Sequence, residues 1–193
     1  MAVEKIYISA DELLSDSFLL AEKIQHSGFK PDLLIGIWRG GAPVGVYVQE
    51  YLEYVGIATE HFPIRTRSYT GINEQTEVEI QGLDHLISQV KPGDNVLLVD
   101  DVFDTGRTIQ AILTQLADQL TTCNIDSINI KVACPWYKPS RNVTSLKPDF
   151  HLHETERWLV FPHELVGLTT AEIRAGKGKQ GDWLVQQGPT KPT

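Results

Sequence analysis

The stretch Val96–Thr108, VLLVDDVFDTGRT, decides the fold. Four apolar residues, Val96 to Val99, run directly into the adjacent aspartates Asp100 and Asp101. A third acid, Asp104, follows, and then a small turn of Thr105, Gly106, Arg107 and Thr108. A short continuous apolar run closed by turn residues reads as a strand buried on both faces. Ile109, Ile112, Leu113, Leu116 and Leu120 then recur at helical spacing, so the turn joins a strand to a helix. In open parallel sheets, ligands bind beyond the carboxyl ends of the strands. Like charges repel there unless a hydroxyl-bearing or cationic partner meets them. The helix start offers free N–H groups and a positive dipole end, which suit a phosphate. The Thr105 and Thr108 hydroxyls add donors, and Gly106 permits a backbone too tight for a Cβ. A sugar phosphate satisfies both halves of this loop.

Working outward, Leu33–Trp38 is a second buried strand, broken by Arg39-Gly40-Gly41, and Pro43–Tyr54 is helical with proline in the first turn. Ile6–Ile8 precedes a capping box, Ser9-x-x-Glu12, and a helix patterned by Leu14, Phe18, Ala21 and Ile24, which Gly28 stops. Residues 57–65 are expected to be extended. Residues 66–82 are polar and aperiodic, a long loop or loose hairpin, and such segments are often functional. Lys91–Asp94 is a turn, and Ile128–Ala133 is a further strand. Strands alternating with helices predict an α/β fold with a central, mainly parallel sheet flanked by helices. Phe150–His153 and Trp158–Phe161 are short strand-like pieces, and Thr169-x-x-Glu172 is a second capping box. This last quarter is expected to join the N-terminal strand in a small subdomain.

The net charge of −8 argues against a broad nucleic-acid or anionic-membrane surface, which needs clustered Lys and Arg. Cys123 and Cys134 match no zinc spacing and read as unpaired thiols of a reducing compartment. The N-terminal segment lacks an apolar core of the signal-peptide kind, and no apolar run reaches the roughly 18 residues of a membrane span. A cytoplasmic protein is expected. His61, His151, His153 and His163 invite a metal reading. His151 and His153 would share a strand face, but no third ligand is evident, so a surface pair is expected.

VLLVDDVFDTGRT resembles the phosphoribosyl-pyrophosphate motif of the type I phosphoribosyltransferases. Trp38-Arg39-Gly40-Gly41, about 60 residues earlier, resembles the pyrophosphate loop of that family. Ser68-Tyr69 resembles the Ser-Tyr pair of the mobile catalytic loop in the hypoxanthine-guanine enzymes. Lys138 in PWYKPSR and Trp158 in RWLVFP resemble the base site of the 6-oxopurine phosphoribosyltransferases, where lysine donates to O6 and an aromatic ring stacks on the base. Backbone near Leu159 would meet the other purine edge. The resemblance spans roughly residues 30–165. It implies one phosphoribosyltransferase domain over 1–193, with a core of about 30–148, a small hood from about 1–10 and 149–175, and a loose tail from 176.

The resemblance further implies purine salvage: Mg²⁺-dependent transfer of 5-phosphoribosyl from phosphoribosyl pyrophosphate to hypoxanthine, guanine or xanthine. Asp100 and Asp101 would hold ribose hydroxyls and Mg²⁺, with Glu164 as a further metal candidate. Asp104 would be the general base, and residues Asp104, Thr105, Gly106, Arg107 and Thr108 would bind the 5-phosphate. Arg39, Gly40, Ser68 and Tyr69 would hold pyrophosphate. Relatives suggest a homodimer or homotetramer. Two alternatives stay open. One is a regulatory binding module on the same fold, which would be expected to show a basic face. The other is a transferase for adenine or a pyrimidine, against which Lys138 and Trp158 argue.

Overall fold

The computed structural model describes residues 4–69, 77–125 and 127–188. They divide into two compact units, Asp16–Glu156 and a smaller one of Met1–Ser15 with Arg157–Thr193. Helix α1 (Ala10–His26) starts in the small unit and continues into the large one.

The large unit is built on a five-stranded sheet. Its strands are β2 (Leu33–Trp38), β3 (Glu60–Tyr69), β4 (Glu77–Gln81), β5 (Asn95–Val99) and, after the two-residue β6 (Val102–Phe103), β7 (Asn129–Ala133). The spatial order is β4-β3-β2-β5-β7, and every pair is parallel except β3 with β4. Helices α2 (Gly41–Tyr54), α3 (Leu83–Gln89) and α4 (Arg107–Thr122) connect them. The central strands are apolar throughout because both faces are covered: Leu33 to Ile37 of β2 and Val96 to Val99 of β5 are buried. From α4, Ile109, Ile112, Leu116 and Leu120 enter the same core as Leu98 and Val132. This is the predicted α/β sheet with β5 as an interior strand beside the edge strand β7, so the chain emerging from β5 leaves at a carboxyl edge flanked by β2 and β7.

A second, three-stranded parallel set continues from that edge. β6 pairs with β8 (Trp136–Tyr137), and β8 pairs with β9 (His153–Glu154). In the small unit, β1 (Lys5–Tyr7) pairs in parallel with β10 (Trp158–Val160), followed by α5 (Thr170–Gly176) and α6 (Gly181–Gln187). Both predicted capping boxes form. Ser9 N–H donates to Glu12 at 2.7 Å and Glu12 N–H to Ser9 Oγ at 3.1 Å, and Thr169 and Glu172 repeat the exchange. The polar stretch 66–82 contributes the antiparallel pair of β3 and β4, and residues 70–76 between them lie outside the described residues. Helix α3 and strand β6 have no counterpart in the sequence reading. Strand β6 is too short to show a period, whereas in and just after α3 Leu83, Leu86, Ile87 and Val90 do recur at helical spacing, a signal the sequence reading passed over.

Candidate active site

The acids after β5 are set by backbone pairing. Asp100 N–H donates to Ala133 O of β7 at 3.1 Å, and Asp101 N–H donates to Asp100 Oδ1 at 3.0 Å. Burial pushes the Asp100 carboxyl well above its usual range, and the Asp101 charge beside it adds to the shift. The Gly41 N–H hydrogen bond to Asp100 acts in the opposite sense. The loop after β2 therefore lies directly on the acid pair. A Cβ at Gly40 would stand 2.0 Å from Asp101 Oδ2, and one at Gly41 would stand 2.2 Å from Val99 O. The two glycines of the predicted pyrophosphate loop are what allow that loop and the acids to occupy one place. The Trp38–Arg39 peptide before them is cis.

Asp100, Asp101, Asp104, Thr105, Gly106 and Thr108 line one cleft of about 240 Å³. Gly106 is the N-cap of α4 in the left-handed region, φ 78°, and has no side chain to cap the helix; Thr105 Oγ1 accepts the Arg107 N–H at a long 3.4 Å, and the next N–H groups have no side-chain cap from Gly106. The helix therefore presents open N–H groups to the cleft. Space is the second demand on Gly106: a Cβ there would meet Thr144 Oγ1 at 2.4 Å and Asn142 Oδ1 at 2.8 Å. Those residues brace the cradle from outside. Val143 N–H donates to Thr105 O at 3.1 Å, while Asn142 Oδ1 accepts from Thr144 N at 2.9 Å.

Register explains why Lys138 reaches this loop. β6 and β8 run parallel with Phe103 opposite Tyr137, and Lys138 N–H donates to Phe103 O at 2.9 Å. The next residues on each strand, Asp104 and Lys138, then meet side by side. Lys138 Nζ lies 3.0 Å from Asp104 Oδ2, and Arg141 Nε lies 2.6 Å from Asp104 Oδ1. The Lys138 side chain is only 4% exposed, and the Asp104 carboxylate offsets part of the cost of burying its ammonium. The sequence reading missed Arg141, Asn142 and Thr144. Only the K-x-x-R spacing around Pro139 could have signalled the first of these.

The remaining expected site residues are distributed as follows. Ser68 and Tyr69 close β3, paired with Val78 and Glu77. Trp158, half exposed, and Leu159, buried, are on β10 in the small unit. Glu164 is in that unit too, and its carboxylate accepts the Phe161 N–H at 3.1 Å. His153 Nε2 lies 3.0 Å from Asp16, and His151 Nε2 lies 3.1 Å from Glu154. Among the described residues no three His, Cys, Asp or Glu side chains gather as a metal-holding group. Two adjacent carboxylates at a phosphate cradle do suit Mg²⁺, which is usually held by one or two carboxylates together with substrate oxygens.

Comparison with known proteins agrees with this fold. The model of the phosphoribosyl transferase domain matches residues 8–166. Hypoxanthine-guanine phosphoribosyltransferase of Lactococcus lactis subsp. lactis (strain IL1403) is 27% identical over 77% of this chain and 75% of its own. The bifunctional protein PyrR of Actinobacillus pleuropneumoniae serotype 5b (strain L20) is 30% identical over 60% of this chain and 66% of its own. The crystal structure of a purine phosphoribosyltransferase from Pyrococcus horikoshii Ot3 superposes with a TM-score of 0.65 at 28% identity, covering 86% of this chain and 97% of that one. With the family model spanning the acid pair, the start of α4 and both flanking loops, the chain belongs to the phosphoribosyltransferase domain family and is a pentosyltransferase.

Proposed function

We propose that the protein transfers 5-phosphoribosyl from phosphoribosyl pyrophosphate to a 6-oxopurine, releasing a nucleoside monophosphate and pyrophosphate in purine salvage. The observation that carries this reading is the 3.0 Å contact of Lys138 with Asp104 at the edge of the phosphate cradle. It puts a cationic donor, suited to a C6 carbonyl and unsuited to an amino group, beside a carboxylate within reach of the same substrate. The α4 N-terminus with Thr105, Gly106, Arg107 and Thr108 takes the 5-phosphate. Asp100 and Asp101 take ribose hydroxyls, and Arg39, Gly40, Ser68 and Tyr69 take pyrophosphate. The resemblance alone assigns base stacking to Trp158, the second base edge to the backbone at Leu159, and a metal contact to Glu164.

As the purine N9 pair forms the bond to C1′, the C1′–O pair leaves with pyrophosphate, and the N7 proton passes to Asp104. The acid pair faces the cationic sugar that develops at C1′, and its negative charge stabilises it electrostatically. Mg²⁺, held by Asp100 and Asp101 with substrate oxygens, would neutralise charge on the leaving pyrophosphate. A cytoplasmic homo-oligomer completes the reading. The test is pyrophosphate release from phosphoribosyl pyrophosphate and Mg²⁺ with each of hypoxanthine, guanine, xanthine, adenine and uracil. Turnover is expected with one or more 6-oxopurines. Turnover with adenine or uracil alone, or with none of them, contradicts the assignment.

A further inference from the structure

We infer that Arg141 is a positioning residue for Asp104, holding the carboxylate by Oδ1 so that Oδ2 is the oxygen that accepts the purine proton. This rests on the 6-oxopurine reading above. Lys138 immediately precedes a one-turn 3₁₀ helix, Pro139–Arg141, and residues three apart on such a helix lie one above the other. Lys138 and Arg141 therefore point the same way, and both close on one acid from a distant part of the chain. The turn is itself fixed. Ser140 N–H donates to Glu156 at 2.9 Å, and Asn142 Nδ2 donates to Leu146 O at 2.7 Å.

The division of labour follows from what each cation must do next. Lys138 must also donate to the base O6, and any turn of its ammonium toward that oxygen loosens its hold on Asp104 Oδ2. If that were the only grip, the carboxylate would be free to rotate about its Cβ–Cγ bond just as it must meet N7. The 2.6 Å contact from Arg141 Nε holds the other oxygen throughout and keeps a balancing charge on the acid. A general base works only within hydrogen-bond reach of its proton, and a displacement of about 1 Å costs roughly 10²-fold in rate.

Three variants test this with the full chain: Arg141→Ala, Arg141→Lys and Arg141→Ala combined with Asp104→Asn. Arg141 is 47% exposed on its side chain, so Arg141→Ala should fold with an unchanged unfolding midpoint. Its kcat with hypoxanthine should fall about 10- to 100-fold, while KM for phosphoribosyl pyrophosphate stays within about twofold. Arg141→Lys restores the charge and should recover part of the rate. On the Asp104→Asn background, removing Arg141 should cost nothing more, because its effect runs through that carboxylate. An unchanged kcat, a loss carried wholly by KM, or losses that multiply in the double variant overturn the inference while leaving the 6-oxopurine reading intact. A wild-type protein that turns over no 6-oxopurine overturns both.

Discussion

Replacing Gly40 and Gly41 one at a time by alanine separates the site from the scaffold. Gly40 has helical backbone angles, φ −65° and ψ −36°, so alanine meets no conformational penalty there. What it meets is the Asp101 carboxylate, 2.0 Å from the new Cβ where ordinary contact begins at 3.4 Å, so the acid must retreat by about 1.4 Å. The Asp101 Cγ would also lie 2.3 Å from that Cβ, so the whole carboxylate must move, but it is the end of a side chain and not backbone. If Asp101 holds the ribose as proposed, a shift beyond about 1 Å predicts a loss of kcat/KM near 10²-fold. Gly41→Ala is the reverse case. Its Cβ would lie 2.2 Å from Val99 O and 2.8 Å from Asp100 Cα, backbone atoms in and just after the central strand. Those atoms cannot swing aside, so overpacking should cost about 1–3 kcal/mol or more in folding. Urea unfolding and initial rates of pyrophosphate release measure the two effects. A Gly40→Ala variant with wild-type kcat/KM would refute the claim that Asp101 works from the position it occupies. A Gly41→Ala variant as stable as wild type would refute the claim that the two loops are in hard contact.

Asp104→Asn keeps the size of the side chain and removes its basicity. It should lower kcat by about 10²–10⁴-fold while calorimetric binding of phosphoribosyl pyrophosphate changes little, and equal losses in both would remove Asp104 as the base. In the small unit, hydrogen bonding to Lys5 at 2.5 Å, with help from Thr169, holds the Glu172 carboxyl at about 2 against an ordinary 4.5. A carboxyl depressed in the folded state favours folding above its unfolded pKa and loses that effect as pH falls toward the folded one. Thermal unfolding of wild type and Glu172→Gln should therefore differ above about pH 4.5 and converge toward pH 2. A gap that persists at the acid end would show that the ionised pair is not its source.

How much of this was legible in the sequence depends on how local each signal was. Val96–Thr108 carries its own structure, with an apolar run for the strand, Gly106 for the left-handed cap and a 3.6-residue period for α4. The capping boxes are equally local, each closing within four residues. Strand β6 escaped because two residues hold no period, whereas α3 was legible in Leu83, Leu86, Ile87 and Val90 and was passed over after the polar stretch that precedes it. The contacts that organise the site escaped for another reason. Arg141 reaches Asp104 across 37 positions of the chain. The parallel register of β6 with β8, which sets Lys138 beside Asp104, depends on the whole sheet. Thr144 against Gly106 is a packing relation, invisible until both loops are placed.

The most direct measurement is the ratio of kcat/KM for hypoxanthine to that for adenine, in wild type and in Lys138→Ala. A site that donates to a C6 oxygen should reject an amino group there by about 10³-fold or more, because the buried ammonium then faces another donor. The account predicts that strong preference in wild type and its collapse by at least tenfold in the variant, through a higher KM for hypoxanthine. A wild-type preference for adenine, or a Lys138→Ala variant with the discrimination intact, would contradict it.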